Sequence, residues 1–488
     1  MNDKISIRRL PTGVPGLDSL LGGGIPEFSF NLIAGTPGGG KTTLAHQIMF
    51  SQASPNNRAL FFTVLGEPTL KMLRYQQQFP FFDNNKINES IHYVNLSADL
   101  VEGDFDRVLS RILEEVTNYA PSLVFVDSFR SVVQSAKQMK KGASELQHFL
   151  QQLGMQMTSW HATTFLIGEY LRPESESSPV FTVADGILWL TQNLQHNSTV
   201  RKMQVVKMRG QAQVPGLHTF RISDEGIQVF PRAIIKEHDA AAMSTFKVIP
   251  GEERVPMGIA GLDEMMGGGL PVGYSLLVVG PSGSGKTILA TEFLAEGVRC
   301  GEPGVIAAFE KSPSQLLNNN KLQALIKTGQ VGMIDTRSLD LSIDETLHDL
   351  IEMINRMQAK RVVIDSLSGF ELALAPEFSE DFRGSLYRLI AELSDMGVTI
   401  LMTSELEDRY TDLRFSPFGN AFLADAIIVQ RYVEIEGQFK RVFSVVKVRG
   451  SNHSKEIRMF DITDKGIIIG ETLSDYAGIM SGKPTVSP

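Results

Sequence analysis

Short apolar runs alternate with longer amphipathic stretches along most of the chain. Eight of these runs are mostly apolar, and all but 58–64 end in glycine or a polar residue, which is typical of buried strands in a parallel sheet. They are residues 30–35, 58–64, 122–128, 163–169, 275–280, 304–310, 361–366 and 399–405. Residues 41–53 and 286–298 are predicted helices, and further helical stretches precede the runs at 122–128 and 361–366. Alternating strands and helices predict an α/β fold with a mainly parallel sheet.

Two further pairs of strand-like runs surround short turns, one pair in each half of the chain. Such pairs predict antiparallel hairpins. They are 185–192 with 203–210 around the turn 196–198, and 425–435 with 440–450 around the turn 436–437. Each sheet is therefore expected to carry an antiparallel hairpin at one edge.

The same motifs occur twice and in the same order. Residues 12–45 read TGVPGLDSLLGGGIPEFSFNLIAGTPGGGKTTLA, and residues 257–290 read MGIAGLDEMMGGGLPVGYSLLVVGPSGSGKTILA. A repeat of this length indicates two homologous tandem domains rather than a solenoid of short repeats. We expect an N-terminal domain at 1–231, a polar, alanine-rich linker at 232–250 and a C-terminal domain at 251–488.

The composition is that of a folded, acidic protein. Hydrophobic residues make up 42% and charged residues 21% of the 488 residues, which argues against wholesale disorder. The formal net charge of −9 argues against nucleic acid as the main partner, because proteins that coat nucleic acid need a basic surface. The single cysteine, Cys300, rules out an intramolecular disulfide and a cysteine-based metal cage. We expect Cys300 to be a small buried apolar residue.

The sequence contains neither an apolar run of about 18 residues nor an apolar N-terminal stretch of the kind found in signal peptides. We therefore expect no membrane-spanning helix and a cytoplasmic location.

Each half contains a phosphate-binding motif, G-x-x-x-x-G-K-[ST], between a predicted strand and a predicted helix. Its glycines let successive backbone N–H groups turn towards phosphate oxygens, and the helix adds its positive N-terminal end. Lysine reaches the β- and γ-phosphates of ATP in such loops, and threonine offers a hydroxyl to Mg²⁺. The predicted ATP-binding residues are Gly35, Thr36, Pro37, Gly38, Gly39, Gly40, Lys41 and Thr42, and Gly280, Pro281, Ser282, Gly283, Ser284, Gly285, Lys286 and Thr287.

Asp127 and Asp365 end the run of apolar residues at 122–128 and 361–366, and a serine follows each of them. A carboxylate at the tip of a buried strand beside a phosphate loop fits a Mg²⁺ partner. We predict that these aspartates complete the metal sites begun by Thr42 and Thr287. The alternative is that each aspartate only caps the helix after its strand.

Two glutamates, Glu67 and Glu310, follow the second strand of each half and could orient the attacking water. The alternative is that both are acids on surface loops. They stand in different registers, because aligning Pro68 with Pro313 places Leu65 opposite Glu310.

The motif K-x-R-G occurs once in each half, as Lys207 with Arg209 and as Lys447 with Arg449. Alternation along a strand puts both cations of a pair on one face. Two cations at a strand end suggest contact with an anion, and a γ-phosphate bound by a neighbouring subunit would fit. The alternative is a solvated basic edge that discourages strand aggregation.

Together these motifs resemble the KaiC family of tandem RecA-type ATPases over essentially the whole chain. The resemblance rests on the segments 13–26 and 258–271, which share the pattern G-[VI]-x-G-L-D-x-[LM]-[LM]-G-G-G-[IL]-P, and on the phosphate loops, the Asp-Ser pairs and K-x-R-G. It implies two tandem RecA-like P-loop domains, a double-ring homohexamer and ATP at subunit interfaces. It also implies that the K-x-R-G residues act on the nucleotide of a neighbouring subunit.

The chain departs from the family pattern at two places. Members carry two adjacent glutamates after the second strand of each domain, where this chain has Leu65-Gly66 and Glu310-Lys311. Clock-type members phosphorylate a neighbouring serine and threonine, which align with Ala421 and Phe422. The usual phosphorylation cycle is therefore expected to be absent, although a third acceptor position falls on Ser416.

The leading hypothesis is an ATP-hydrolysing regulatory protein whose partner proteins are not identified. One alternative is a Ser/Thr autokinase that uses other acceptors, of which Thr411 and Ser416 are the nearest. A second is a RecA-like nucleic-acid-dependent ATPase, which the acidic charge argues against. A third is a scaffold whose N-terminal half binds ATP without hydrolysing it, an idea that Leu65-Gly66 motivates.

Overall fold

The computed structural model of the chain divides into two compact units, Met1–Arg232 and Ala233–Pro488, which we call unit 1 and unit 2. Of the predicted linker, Arg232 alone lies within the residues that the structure describes. The described residues are 7–64, 69–99, 105–130, 143–171, 178–195, 198–232, 253–309, 320–335, 342–374, 382–406, 423–464, 466–474, 476–479 and 485–486.

Unit 1 contains a nine-stranded sheet among its described residues, in the order β11-β10-β9-β8-β3-β7-β6-β4-β5. Strands β8, β3, β7, β6, β4 and β5 run parallel, and β8 to β11 form an antiparallel edge. The strands are β1 Arg9–Leu10, β2 Ile25–Pro26, β3 Phe30–Gly35, β4 Ala59–Thr63, β5 Ile91–Asn95, β6 Leu123–Asp127, β7 Thr163–Glu169, β8 Gly186–Gln195, β9 Ser198–Met208, β10 His218–Ser223 and β11 Gly226–Phe230. The helices are α1 Leu17–Leu20, α2 Lys41–Gln52, α3 Thr69–Gln76, α4 Phe105–Tyr119, α5 Ala143–Ser159 and α6 Pro179–Val183.

Unit 2 repeats this arrangement in its described residues, in the order β16-β15-β17-β18-β14-β19-β20-β21-β22. The strands are β12 Arg254–Val255, β13 Leu270–Pro271, β14 Ser275–Gly280, β15 Gly304–Ala308, β16 Val331–Asp335, β17 Arg361–Asp365, β18 Thr399–Glu405, β19 Ala426–Ile435, β20 Gln438–Val448, β21 Ile457–Thr463, β22 Gly466–Thr472, β23 Tyr476–Ala477 and β24 Thr485–Val486. The helices are α7 Ala260–Met265, α8 Lys286–Arg299, α9 Asn320–Lys327, α10 Ile343–Met357, α11 Leu367–Ala373 and α12 Phe382–Asp395.

The predicted α/β class, with a mainly parallel sheet and an antiparallel edge hairpin, is confirmed in both units. All eight apolar runs form strands, although some are shorter than predicted. The sequence prediction missed β5 and β16, which lie at the outer edge of the parallel strands. Half-buried polar residues such as His92 interrupt the apolar pattern of β5, and Gly332 interrupts that of β16.

Successive residues of the central strands enter opposite layers of the core, as the two-residue period of a strand requires. In β3, Leu32 and Ala34 pack into one apolar cluster with α4 and α5, whereas Ile33 packs into another with α2. Strand β14 divides its side chains in the same way. Each sheet therefore lies between two helical layers, and the carboxyl ends of its parallel strands meet at one edge.

The glycine-rich segments 13–26 and 258–271 have a structural role that the sequence did not reveal. An Asp18 carboxylate oxygen accepts the Thr12 N–H at 2.8 Å, and an Asp263 oxygen accepts the Met257 N–H at 2.6 Å. Gly24 has a φ of +117°, and a side chain there would lie 2.4 Å from the Leu10 carbonyl oxygen. The aspartates therefore tie the segment after β1 or β12 to the helix that follows it, and the lack of a side chain at Gly24 lets the backbone approach β1.

The prediction that Cys300 is buried was wrong, because its side chain is exposed. Cys300 follows the last residue of α8 and lies between Arg299 and Gly301, where the helix ends at the surface. Among the described helices of both units, none combines the length and the apolar character needed to cross a membrane.

Candidate functional site: two phosphate-loop sites

The phosphate loop of unit 1 joins the end of β3 to the start of α2. Gly40 precedes α2 with a φ of +86°, a left-handed conformation that suits glycine. A side chain at Gly35 would lie 1.8 Å from the Leu190 carbonyl oxygen, so β8 leaves no room for one. In unit 2, Gly285 precedes α8 with a φ of +102°. Both loops therefore have the strand–loop–helix setting that the motif requires.

The two loop lysines fold back onto their own loops. Lys41 Nζ donates to the Thr36 carbonyl oxygen at 2.7 Å, and Lys286 Nζ donates to the carbonyl oxygens of Gly280 and Pro281 at 2.8 Å each. Burial lowers the pKa of Lys41, and the nearby carboxylates of Glu169 and Asp127 oppose that shift. These carboxylates favour the charged ammonium that a phosphate site needs.

The structure brings together the residues predicted to hold a metal. Thr42 Oγ1 donates to an Asp127 carboxylate oxygen at 2.7 Å, and Thr287 Oγ1 donates to Asp365 at 2.8 Å. Each pair joins residues far apart in sequence, because the strand ending in aspartate lies in the same sheet as the strand that precedes the loop. The sequence predicted this pairing, and it occurs in both units.

In unit 2, Asp365 does not act as the cap of the helix that follows its strand. The N-terminus of α11 is capped by Ser366, whose side chain accepts the Gly369 N–H at 3.1 Å. Asp365 itself accepts hydrogen bonds from Thr287 and Thr403. Its carboxylate therefore faces the phosphate loop instead of the helix backbone.

A hydroxyl beside a carboxylate fits Mg²⁺, which prefers oxygen ligands and usually keeps several waters and substrate phosphates. Within the described ranges, no three His, Cys, Asp or Glu side chains gather closely enough to hold a metal by themselves. The pairs Thr42–Asp127 and Thr287–Asp365 suit an ion that arrives with a nucleotide.

The phosphate loop of unit 1 lines a cavity of about 580 Å³. This volume falls in the usual range for small-molecule sites. Its lining residues are Gly38, Gly40, Lys41, Thr42, Thr43, Thr63, Met72, Asp127, Ser128, Arg130, Gly168, Glu169 and Ile222.

Two charged residues of this cavity were missed by the sequence prediction. Glu169 ends β7, which lies between β3 and β6, and Arg130 follows Asp127 by three positions. An Arg130 Nη donates to the Glu169 carbonyl oxygen, and the guanidinium carbon lies 5.6 Å from the centre of the Tyr170 ring. A glutamate also ends β18, as Glu405, and this repetition could have indicated the position.

The predicted water-orienting residues, Glu67 and Glu310, lie outside the described residues, as do the neighbouring pairs Leu65-Gly66 and Glu310-Lys311. The possible acceptor positions Thr411 and Ser416, and the positions Ala421 and Phe422, lie outside them as well. Their roles stay predictions.

The K-x-R-G cations of unit 1, Lys207 and Arg209, do not line its cavity. On β8, Ile187 pairs with Lys207 and Leu190 pairs with Gly35 of the phosphate loop. The two pairings are three residues apart. That separation is about 10 Å along the strand. The Lys207 ammonium donates further from the loop, to the carbonyl oxygens of Thr182 and Ala184.

The neighbouring arginine turns the same way, since Arg209 donates to Asp185 at 3.0 Å. In unit 2, Lys447 donates to the Ala424 carbonyl oxygen at 2.7 Å, and Arg449 donates to Asp425 at 3.3 Å. Burial lowers the pKa of Lys447, and the charge of Arg449 lowers it further. In both units the two cations lie together at the carboxyl end of β9 or β20, beside the amino end of β8 or β19 and away from their own phosphate loop.

Known proteins are similar in sequence to this chain over nearly its full length. The family model described as "ATPase: KaiC" matches residues 10–234 and 255–474. The circadian clock oscillator protein KaiC of Thermostichus vulcanus is 28% identical over 495 residues, which cover 98% of this chain and 92% of the relative. The circadian clock protein KaiC3 of Synechocystis sp. is 28% identical over 496 residues, covering 98% and 95% of the two chains.

The circadian clock oscillator protein KaiC of Prochlorococcus marinus is 26% identical over 493 residues, covering 98% and 96% of the two chains. Two family matches on two sheets of the same topology confirm the predicted tandem RecA-like arrangement. The chain belongs to the KaiC family of ATPases.

Proposed function

We propose that this protein binds ATP in both units and hydrolyses it, and that it acts as a regulatory ATPase. The observation that carries the proposal is the duplicated contact between a loop threonine and a strand-end aspartate, at 2.7 and 2.8 Å. The contact would supply two oxygen ligands for a nucleotide-bound Mg²⁺ beside a loop lysine in each unit.

The phosphates of ATP would lie on the loop backbone, with Lys41 or Lys286 exchanging its carbonyl partners for β- and γ-phosphate oxygens. Thr42 with Asp127, and Thr287 with Asp365, would hold Mg²⁺, which neutralises phosphate charge when bound. Water attacks the γ-phosphorus while the bond to the β–γ bridging oxygen breaks, so that ADP and phosphate leave. We assign Glu67 and Glu310 the role of orienting this water and accepting its proton.

We further propose a double-ring homohexamer with ATP at the subunit interfaces. The arginines of K-x-R-G would then stabilise the transition state in the neighbouring subunit. Their position supports this, because Arg209 and Arg449 lie at the end of β8 or β19 that is remote from their own loop. The relatives are named as circadian clock proteins, which supports a role in timing. We also propose a cytoplasmic location and regulatory partner proteins.

The double variant Lys41→Ala/Lys286→Ala tests the proposal. Phosphate release from ATP and sedimentation with and without ATP are measured on the same sample, with Mg²⁺ present. We expect loss of phosphate release and of ATP-dependent assembly, with the thermal unfolding midpoint in the absence of ATP unchanged. Wild-type turnover in the double variant contradicts the proposal.

A further inference from the structure

One aspartate in each unit joins the K-x-R-G arginine to the strand that carries the phosphate loop. In unit 1 this residue is Asp185, which immediately precedes β8. Its N–H donates to the Phe30 carbonyl oxygen at 2.7 Å, and its Oδ2 accepts the Phe30 N–H at 3.1 Å. Phe30 is the first residue of β3, so Asp185 fixes the start of the strand that ends in the loop.

The other side of Asp185 holds Arg209. The Arg209 N–H donates to the Asp185 carbonyl oxygen at 3.0 Å, and an Arg209 Nη donates to Asp185 Oδ1, also at 3.0 Å. The two carboxylate oxygens therefore have different tasks: Oδ2 binds the strand and Oδ1 binds the arginine.

Unit 2 repeats this division with different neighbours. Asp425 Oδ2 accepts the Ser275 N–H at 3.0 Å and the Ser275 hydroxyl at 2.8 Å, while Oδ1 accepts an Arg449 Nη at 3.3 Å. The Arg449 N–H donates to the Asp425 carbonyl oxygen at 2.9 Å. The same contacts recur although the strand begins with Ser275 in unit 2 and with Phe30 in unit 1.

Stability alone does not account for the arginine contact. The side chains of Arg209 and Arg449 are 62% and 54% exposed, and ion pairs this open to water contribute little to folding. The contact does fix the direction of a long, flexible side chain, and orienting a catalytic group in advance lowers the barrier that it acts on.

We propose that Asp185 and Asp425 are positioning residues that orient Arg209 and Arg449 towards the nucleotide of the adjoining subunit. The inference rests on the proposed function, in which these arginines act between subunits. Each aspartate would also connect two successive sites, because the strand it holds leads to its own loop while the arginine it holds reaches the next one.

Substitution by asparagine separates the two tasks of the carboxylate. An asparagine oxygen can still accept the strand N–H, but its amide group then presents N–H donors to a guanidinium that has only donors. We compare Asp185→Asn/Asp425→Asn, Arg209→Gln/Arg449→Gln and the combination of all four substitutions. For each, kcat and KM for ATP and the thermal unfolding midpoint are measured on the full chain.

The asparagine variant should lose about tenfold to a hundredfold in kcat, the size of effect that misplacing a catalytic group produces, with KM and the unfolding midpoint close to wild type. Adding it to the arginine variant should cost nothing further, because residues that act through one another are non-additive. Wild-type kcat in the asparagine variant, or full additivity with the arginine variant, overturns the inference.

Asp185→Glu/Asp425→Glu provides a second measurement in case the asparagine variant does not fold. This variant keeps a negative charge beside the arginine. Its kcat should therefore be at least threefold higher than that of the arginine variant. A kcat no higher than that of the arginine variant overturns the inference. The same measurements distinguish failure of the inference from failure of the proposed function. A wild-type kcat in the arginine variant would remove the role of K-x-R-G. A kcat that falls in the arginine variant but not in the aspartate variants would remove only the role of the aspartates.

Discussion

The two units keep the same phosphate machinery but differ in the residues that surround it. Thr42 contacts Asp127 just as Thr287 contacts Asp365. Three positions after the aspartate, however, unit 1 has Arg130 and unit 2 has Ser368. Arg130 donates to the main-chain oxygen of Glu169, whereas Ser368 Oγ accepts the N–H of Glu405 at 3.3 Å. Unit 1 therefore adds a cation at a position where unit 2 has a neutral hydroxyl.

A second difference lies in the helix behind each loop. One turn after the loop threonine, α2 has His46, whose Nδ1 lies 2.8 Å from the Thr42 carbonyl oxygen. At the same position α8 has Thr291, whose hydroxyl donates to the Thr287 carbonyl oxygen at 2.9 Å. Both side chains contact the equivalent backbone oxygen, but only the imidazole is a titratable group.

These differences place the same loop and the same Asp–Thr contact in two chemical settings. The atoms that touch phosphate tolerate little change, because the loop and the Asp–Thr pair are fixed by geometry. The residues one step further out are free to change the affinity or the pH response of a single unit. Among the described residues, Arg130 and His46 should therefore account for differences in behaviour between the halves, rather than the loops.

The largest expected effect divides the ATPase activity between the units. Lys41→Ala and Lys286→Ala, made singly, should each lower hydrolysis at their own site by about a hundred- to thousandfold, as loss of a preorganised transition-state contact does. Phosphate release should fall only partly in each variant, since the other site continues to work.

Unchanged phosphate release in Lys41→Ala, together with lost assembly, would contradict the expectation that unit 1 hydrolyses ATP. Unit 1 would then bind ATP as a scaffold, the alternative motivated by Leu65-Gly66.

The core of each site could be predicted from sequence because its determinants are local or follow from strand order. The loop motif fixes the lysine and the threonine, and parallel strands bring their carboxyl ends together. That reasoning was enough to pair Thr42 with Asp127 across 85 positions. Arg130 was missed because its place in the cavity depends on which strand end lies next to it, and no spacing rule states that. Glu169 was missed although Glu405 repeats its place at the end of a strand.

Burial was harder to predict than topology. Arg361 opens a strand and is only 1% exposed, because it bonds to Glu302 and to the carbonyl oxygens of Pro256 and Phe293. The partners Glu302 and Pro256 lie 59 and 105 positions away in sequence. The error on Cys300 has the same origin, since composition cannot show where a helix end reaches the surface.

The next largest effect is a pH dependence that belongs to unit 1. Burial among the rings of Phe50, Phe61 and Tyr93 lowers the pKa of His46 from 6.5 to about 4. Between these values the unfolded chain binds a proton that the folded chain does not, so stability falls as the pH drops. We expect a loss of about 2 kcal/mol between pH 7 and pH 5, by the linkage of one shifted group.

Both tryptophans, Trp160 and Trp189, belong to unit 1, so their fluorescence during urea unfolding reports on this unit. His46→Thr introduces the residue that unit 2 has at this position, Thr291. In this variant the loss of unfolding free energy between pH 7 and pH 5 should be smaller by the contribution of one histidine. The contribution of His218 should remain, because burial lowers its pKa as well. The same pH dependence in His46→Thr and the wild type would show that His46 is not its source.

The smallest expected effect tests whether Arg130 tunes the site of unit 1. In a Lys286→Ala background, Arg130→Ser should weaken ATP binding by about tenfold, the value of one charge-assisted hydrogen bond to phosphate. Arg58→Ser is the matched control, because Arg58 also donates to a main-chain oxygen and lies 5.4 Å from a tyrosine ring centre, yet does not line the cavity. Calorimetric titration with ATP measures both variants. Equal weakening by the two substitutions would mean that Arg130 acts only through folding or net charge. Weaker ATP binding in Arg130→Ser alone would show that Arg130 sets part of the affinity of unit 1.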